Sequence, residues 1–340
     1  METFLNFEHD QLTRASELSS RERVDITVVV CTYNRAATLE KALESIAASV
    51  ISPTVTWEVV VVDNNSSDET RQVVEKFCGA FPRRFRYLFE QKQGLSAARN
   101  AGIQNAHGDI IAFTDDDVAV EPTWLQNLAE PLFSKTYAAS GGRIFPKWTN
   151  EPPDWLPIHA RYGLAPLTAF DLGTTALDLT EPPVGANMAF RKSLFATYGD
   201  FRTDLGRRPG TLIGDEEIDF GNRLLNGGEQ LRYVPSAVVY HPVQENRLTK
   251  EYFLRWWFDK GRADIMLEGV PQTRWQMRGV PLFFLRRLAA WTARWMFAVT
   301  PARRFSNKIK TWSLAGMIWQ CYSQGADVSP QASRACKQES

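Results

Sequence analysis

The chain has 340 residues, of which 44% are hydrophobic and 23% are charged, and its formal net charge is zero. This composition excludes a disordered chain, and the length allows one large domain or two smaller ones. The charge is uneven, because residues 251–340 carry 14 Lys and Arg against 6 Asp and Glu, while residues 1–250 carry 25 against 33.

Neither the cysteines nor the apolar runs indicate export or membrane insertion. The four cysteines lack the spacing of a zinc site or a disulfide framework, which favours a reducing compartment. The N-terminus is polar, and no run of about 18 apolar residues occurs. We therefore expect a cytoplasmic protein without a spanning helix.

From residue 25 the predicted elements alternate between strand and helix, after a polar N-terminal arm at 1–22. Strands are predicted at 28–31, 57–62, 85–89 and 109–114, with helices at 36–49, 69–77, 94–106 and 122–133. Near-continuous Val and Ile runs between helices are typical of a parallel sheet in an α/β fold. Residues 144–183 are predicted to form long ordered loops around a site, followed by a strand at 184–190, a helix at 216–225 and a strand at 231–240.

Three consecutive aspartates, Asp115, Asp116 and Asp117, follow the fourth strand. Ligands of parallel sheets bind beyond the carboxyl ends of the strands. Adjacent carboxylates repel each other unless a cation or hydrogen-bond donors neutralise them. The triplet therefore predicts a divalent cation that carries a phosphate-bearing ligand, and the alternative is a solvated acidic turn.

Polar residues also follow the first two strands. They are Thr32, Tyr33, Asn34 and Arg35 after the first, and Asp63, Asn64 and Ser66 after the second. Thr32 or Asn34 can cap the next helix, or the strand end and Tyr33 can wall a nucleobase pocket. Asp63 can accept a hydrogen bond from a base or a ribose.

The helix at 94–106 begins with GLSAARNAG, whose small residues allow close packing on the sheet. Arg99 would then lie near the sheet edge. Its planar guanidinium can order the aspartates or a diphosphate there.

Taken in order, the motifs CTYNR, VVDNNSSD, GLSAARNAG and FTDDD resemble those of the family 2 glycosyltransferases. The resemblance runs from residue 25 to about 245. It implies a GT-A fold, which is a Rossmann-like, mostly parallel α/β sheet flanked by helices. The implied activity is inverting transfer of a sugar from a nucleoside diphosphate sugar, most often a UDP-sugar. The acceptor would be a hydroxyl, and a membrane-bound C-terminal tail would favour a saccharide or lipid-linked acceptor in envelope polysaccharide biosynthesis.

The resemblance also implies roles for single residues. Thr32, Tyr33 and Asp63 would contact the base, Asp115 would lie near the ribose, and Asp117 would bind Mn²⁺ or Mg²⁺. Asp116 could take over either role, and Asp115 and His241, which ends a late strand, are further predicted metal ligands. The remaining predicted donor-binding residues are Asn34, Arg35, Asn64, Ser66, Gly94, Arg99 and Asn187.

A second acidic cluster spans residues 215–219, and acids in the first turn of a helix can simply complement its dipole. In similar glycosyltransferases an acid–Asp pair here supplies the base that deprotonates the acceptor. The aligned residue is Glu217, a Glu where Asp is usual, and Glu216 and Asp219 are alternatives. The preceding GRRPGT at 206–211 is either a lid over the diphosphate or an exposed loop.

We divide the chain into a catalytic domain at 23–245, a basic Trp-rich helical region at 246–325 and a disordered tail at 326–340. The catalytic domain consists of a nucleotide-binding half at 23–135 and an acceptor-binding half at 136–245. The helical region lacks the QxxRW signature of processive relatives, which favours transfer of a single sugar.

Within the helical region, residues 281–300 place apolar side chains on one helical face and Arg286, Arg287 and Arg294 opposite. With the basic residues that follow, 281–310 is predicted to lie on an anionic membrane, peripheral on the inner face of the plasma membrane. The alternative is a helix docked on the catalytic domain or in a homodimer. No motif supports nucleic acid as a partner.

Two other functions compete with sugar transfer. A haloacid-dehalogenase-type phosphatase also has a DxD motif after a strand, but its nucleophile belongs after the first strand. The other alternative is a non-catalytic protein that binds sugar nucleotides or docks on a membrane. Its only support is Glu217, a Glu where Asp is usual for the base.

Overall fold

The structure, a computed structural model, describes residues 24–158 and 163–328, with side chains described through Gln324. The predicted arm at 1–22 lies outside the described residues. The predicted tail at 326–340 begins within the last helix, and its residues 329–340 also lie outside.

The strands are β1 (Ile26–Thr32), β2 (Trp57–Asp63), β3 (Phe85–Phe89), β4 (Ile110–Asp115), β5 (Ala119–Val120), β6 (Ala139–Lys147), β7 (Leu177–Leu179), β8 (Met188–Arg191), β9 (Leu231–Pro242), β10 (Gln276–Met277) and β11 (Val280–Pro281). The helices are α1 (Ala36–Ala47), α2 (Thr70–Ala80), α3 (Leu95–Asn105), α4 (Trp124–Phe133), α5 (Ser193–Tyr198), α6 (Glu216–Asn226), α7 (Lys250–Glu268), α8 (Leu282–Met296) and α9 (Pro301–Val328).

A nine-stranded sheet forms the centre of the fold, in the order β3-β2-β1-β4-β8-β6-β9-β5 with β7 also paired to β9. β3, β2, β1 and β4 are parallel to one another, as predicted. β8 is antiparallel to both β4 and β6, so the chain direction reverses in the middle of the sheet. This α/β sheet flanked by helices confirms the predicted fold class.

The first two strands are buried on both faces, which explains their continuous valine runs. Val28 and Val30 pack with Leu39 and Leu43 of α1 on one face, whereas Val29 belongs to the core on the other face. That second core includes Ala98 and Ala101 of α3. A Cβ on Gly102 would overlap Val29, so the small residues of α3 do allow the close packing on the sheet that the sequence predicts.

The C-terminal helices share cores with the rest of the molecule. Phe253 of α7 packs with Leu156 and Val243, and Ala263 of α7 packs with Leu205 and Ile213. The predicted helical C-terminal region therefore packs against the part of the chain predicted as the catalytic domain.

α9 folds back along α8 and covers part of its apolar face. Phe284 is buried, and Leu288 and Trp291 are partly buried, in one cluster with Leu314 and Met317 of α9. At the end of the segment predicted to insert into a membrane, Met296 and Val299 stay exposed. Among the described helices, none combines the length and the apolarity that crossing a bilayer requires.

Polar strand ends meet at one edge of the sheet. Thr32 at the end of β1 is opposite Asp63 of β2, and Cys31 is opposite Asp115 of β4. Parallel pairing in this register brings the three sequence motifs together.

Candidate active site

A cavity of about 500 Å³ lies at this sheet edge. Its lining includes most of the residues predicted from sequence, namely Thr32, Tyr33, Arg35, Asn64, Gly94, Arg99, Asp115, Asp116, Asp117, Glu216, Glu217 and His241. The other residues predicted from sequence do not line the cavity in the described part of the chain, namely Asn34, Asp63, Ser66, Asn187 and Asp219.

Arg35 neutralises two of the three adjacent aspartates. Its Nη1 lies 2.9 Å from Asp116 Oδ1 and 2.9 Å from Asp117 Oδ2. Burial raises the pKa of Asp116 to about 6, although the Arg35 charge opposes the shift. Asp116 is therefore held toward Arg35.

Asp117 lies among several positive and polar groups. Arg247 Nη2 is 3.6 Å from Asp117 Oδ2, and Gln244 Nε2 donates to the same oxygen over 3.2 Å. Burial acts to raise the pKa of Asp117, but the positive charge around it, to which Arg35 and Arg247 contribute, outweighs this effect and holds that pKa below its usual value. Asp117 therefore stays ionised to a lower pH than Asp116 does.

Asp115, Asp117 and His241 form a cluster that could hold a metal ion, with their ligand atoms all within 4.8 Å of one another. Oδ1 of Asp117 has no hydrogen-bond partner among the described residues, and His241 Nε2 lies 3.4 Å from it. His241 Nδ1 lies 3.2 Å from the Pro242 carbonyl, so this nitrogen carries the proton and Nε2 keeps its lone pair. Burial lowers the pKa of His241, which favours the neutral imidazole. Two carboxylates and an imidazole fit Mn²⁺ or Mg²⁺ chemically.

Arg99 connects the aspartate end of the cavity to helix α6. The guanidinium is buried, with Nη1 2.5 Å from Glu216 Oε1 and Nη2 3.9 Å from Asp115 Oδ1. Nη2 also donates to the Gly185 carbonyl over 3.3 Å. Burial and the neighbouring Glu217 raise the pKa of Glu216 to about 7, against the effect of Arg99.

Glu217 faces the cavity from the first turn of α6. The residue before this helix, Asp215, has a left-handed backbone conformation with φ of 77°. Lys260 of α7 lies 3.0 Å from Asp215 Oδ2. This contact from another helix holds the strained turn that aims Glu217 at the cavity.

Asp219, the other predicted alternative for the base, points elsewhere. Its carboxylate lies 2.8 Å from Arg223 Nη2 and 3.4 Å from Arg202 Nη1. These contacts engage both of its oxygens away from the cavity.

Asn34, Asp63 and Ser66 join the loops that follow β1 and β2. Asn34 donates its backbone N–H to Ser66 Oγ over 2.9 Å. Asp63 accepts from the Ser66 backbone N–H at 2.9 Å and from the Tyr87 hydroxyl at 2.8 Å. Each Asp63 oxygen keeps one lone pair, so its contact with a base stays a prediction.

A side chain of the neighbouring loop binds the first turn of α1. Asp68 accepts a hydrogen bond from the Ala36 backbone N–H at 3.0 Å, whereas neither Thr32 nor Asn34 caps this helix. Capping, one of the two alternatives open for these residues, is therefore not observed, because Asp68 reaches the first turn of the helix across the sheet edge.

Asn187 lies in the core. Its Oδ1 accepts from Trp124 Nε1 at 2.8 Å, and its Nδ2 donates to the carbonyls of Arg143 and Ala237 at 2.9 Å each. These bonds connect the residue before β8 to α4, β6 and β9. The placement does not favour the predicted donor contact.

Other lining residues were missed by the sequence prediction. They are Arg247 and Gln244 near Asp117, and Tyr252, Trp256 and Lys260 on α7. The spacing of the last three places them on one face of a helix, which was a usable signal. Arg207 and Arg208 of the GRRPGT segment also line the cavity.

Comparison with known proteins identifies similar sequences. The sequence model described as glycosyl transferase family 2 matches residues 27–199. The chain is 27% identical over 226 residues to the glucosyl-dolichyl phosphate glucuronosyltransferase of Haloferax volcanii, covering 65% of this chain and 70% of that protein. It is 28% identical over 243 residues to the succinoglycan biosynthesis protein ExoM of Rhizobium meliloti, covering 71% and 74%.

A solved structure has a similar fold. It is the mannosyltransferase PcManGT from Pyrobaculum calidifontis, determined in complex with GDP-Man and Mn²⁺. The TM-score is 0.60 at 20% sequence identity, and the match covers 89% of both chains. The likeness shows that the fold is of the GT-A type.

Proposed function

The chain belongs to glycosyl transferase family 2, and we propose that it moves a single sugar from a nucleoside diphosphate sugar to an acceptor hydroxyl. It is therefore a glycosyltransferase. The observation that carries the proposal is one cavity lined both by the Asp115, Asp117 and His241 cluster and by Glu217. A donor diphosphate and an acceptor hydroxyl can meet between these two groups.

The proposed reaction is a direct displacement at the anomeric carbon. The acceptor oxygen forms a bond to this carbon as the bond to the diphosphate oxygen breaks, and the nucleoside diphosphate leaves. The acceptor proton passes to Glu217, and attack from the side opposite the leaving group inverts the configuration. A bound Mn²⁺ or Mg²⁺ ion would neutralise the diphosphate oxygens and stabilise the leaving group.

Glu217 has the best support among the three candidate bases. Glu216 is buried against Arg99, and Asp219 is paired with Arg202 and Arg223 outside the cavity lining. Glu217 lies on the cavity wall, where an acceptor hydroxyl could come within hydrogen-bond reach.

We further propose a UDP-sugar donor and a saccharide or lipid-linked acceptor in envelope polysaccharide synthesis. The family resemblance supports uracil, and the GDP-Man bound by the fold neighbour makes guanine the first alternative. The relatives named for a dolichyl phosphate glycan and for succinoglycan support this acceptor class. A lipid-linked acceptor also supports a cytoplasmic location with peripheral attachment to the plasma membrane.

A thermal-shift panel of UDP-sugars and GDP-sugars, with and without Mn²⁺, tests the proposal. We expect one donor to raise the melting temperature only when metal is present. The same donor should then be consumed when acceptor is added. A panel in which no nucleotide sugar stabilises the protein would contradict the proposal.

A further inference from the structure

The turn between α8 and α9 exposes a run of apolar side chains. Met296, Phe297 and Val299 are 58%, 82% and 94% exposed. α8 ends at Met296 and α9 begins at Pro301, so these residues form the end of a helical hairpin. A single exposed apolar residue is ordinary, but three in four positions make a patch.

The sequence around this turn is basic without any acidic counterpart. Residues 269–326 contain nine Lys and Arg and no Asp or Glu. Arg294, Arg303, Arg304 and Lys310 are exposed on both sides of the turn. The hairpin segment itself therefore carries a single sign of charge.

Next to the apolar patch, basic side chains lie over tryptophan rings. Arg294 lies 4.5 Å and Lys310 lies 4.2 Å from the ring centroid of Trp291. Lys308 lies 5.1 Å from the Trp295 ring. Such side chains have an apolar body and a polar end, which suits the headgroup level of a bilayer.

We propose that the hairpin end, residues 291–312, docks on an anionic lipid bilayer, with Phe297 and Val299 entering the boundary between headgroups and acyl chains. The inference rests on the peripheral attachment proposed above and assigns it to a surface. Insertion is by the end of the hairpin, because α9 covers part of the apolar face of α8 while the apolar residues at the end stay exposed.

Charge decides between a bilayer and a second copy of the chain. Two hairpin ends would bring like charges together, and no acidic residue of 269–326 could compensate them. An anionic bilayer supplies the opposite charge, which is worth about a fivefold gain in binding for each basic side chain near the surface.

Co-sedimentation of the full chain with vesicles tests the proposal. We expect binding to vesicles of phosphatidylcholine with phosphatidylglycerol, weak binding to phosphatidylcholine alone, and release by salt. The double variants Phe297→Ser/Val299→Ser and Arg303→Glu/Arg304→Glu should each bind the anionic vesicles at least about tenfold more weakly. Phe133→Ser/Val50→Ser is the matched control, because both side chains are exposed on the catalytic domain, and it should bind like the wild type.

Thermal stabilisation by the donor checks that every variant is folded. Three results would overturn the inference. If the wild type ignores anionic vesicles, peripheral attachment itself fails. If the wild type binds and the hairpin variants bind equally, the assignment to this surface fails alone. If the variants turn a dimer into a monomer in size-exclusion chromatography, a second copy is the occupant.

Discussion

Asp116 and Asp117 are neighbours in sequence and are both buried, yet their carboxyls have opposite pKa shifts. The difference arises because the Arg247 guanidinium, in addition to that of Arg35, lies close to Asp117. We expect Asp117→Asn to abolish metal-dependent stabilisation by the donor, and Asp116→Asn to weaken it less. Titration with Mn²⁺ in the thermal-shift assay distinguishes them, and equal losses would contradict the assignment of the metal to Asp117.

Glu217→Gln tests the proposed base. The amide keeps the size of the side chain but cannot take a proton, so transfer should fall by about 10²- to 10⁴-fold. Donor binding, measured by thermal shift, should be unchanged. Glu217→Asp should keep part of the activity, and a Gln variant with normal turnover would point to another base.

Glu216 gives a pH-dependent signature in stability. Its pKa is about 7 in the folded protein against 4.5 for an ordinary Glu. Because the folded state holds the proton more tightly, the carboxyl favours folding at low pH and loses this contribution as the pH rises from 4.5 to about 7. The stability of the wild type relative to Glu216→Gln should therefore fall across this window. Urea unfolding of both proteins at several pH values measures it, and a flat difference would contradict the shift.

The sequence could indicate which polar residues lie at strand ends, but not which groups form hydrogen bonds with them in the folded chain. The Asp115–117 triplet could be predicted to face a ligand because it follows a buried strand, and ligands of such sheets bind beyond the carboxyl ends of the strands. Asn187 was predicted to contact the donor. The groups with which its side chain forms hydrogen bonds, however, lie far away in sequence. Only the tertiary structure brings Trp124 to its side chain.

At the level of elements, the packing of α7 on α9 positions one wall of the cavity. A Cβ on Gly261 would overlap the Ser313 carbonyl, and one on Gly316 would overlap the Phe258 carbonyl. Gly316→Ala should therefore lower the free energy of unfolding by about 1–3 kcal/mol. It should also reduce transfer, because α7 carries Trp256 and Lys260.

Gly79→Ala in α2 is the control for that substitution. A Cβ there meets nothing within 4 Å, so alanine should stabilise the helix by about 0.5–1 kcal/mol. Urea unfolding measures both variants. Equal effects would mean that the helices do not pack as closely as described.

The parallel arrangement of the first four strands could be predicted, but the antiparallel insertion could not. Continuous valine runs require burial on both faces, which fixes the character of β1 and β2. β8 has only four residues, and its direction depends on loops of irregular sequence. Short apolar segments carry no signal of direction.

For the molecule as a whole, the shared cores predict one cooperative unfolding unit. Seven of the eleven tryptophans lie from Trp256 onward, so fluorescence reports mainly on the C-terminal helices. Far-UV ellipticity reports on the whole chain, and both should give the same urea midpoint. Separate midpoints would instead support an independent C-terminal domain.

The arginines around Asp117 also bear on the order in which ligands bind. Arg35 and Arg247 already supply counter-charge to this carboxylate, so a free cation entering alone must compete with them. A nucleoside diphosphate brings negative charge that can satisfy both the ion and the arginines. Steady-state kinetics should accordingly show synergy, with the apparent affinity for the metal rising as the donor concentration increases.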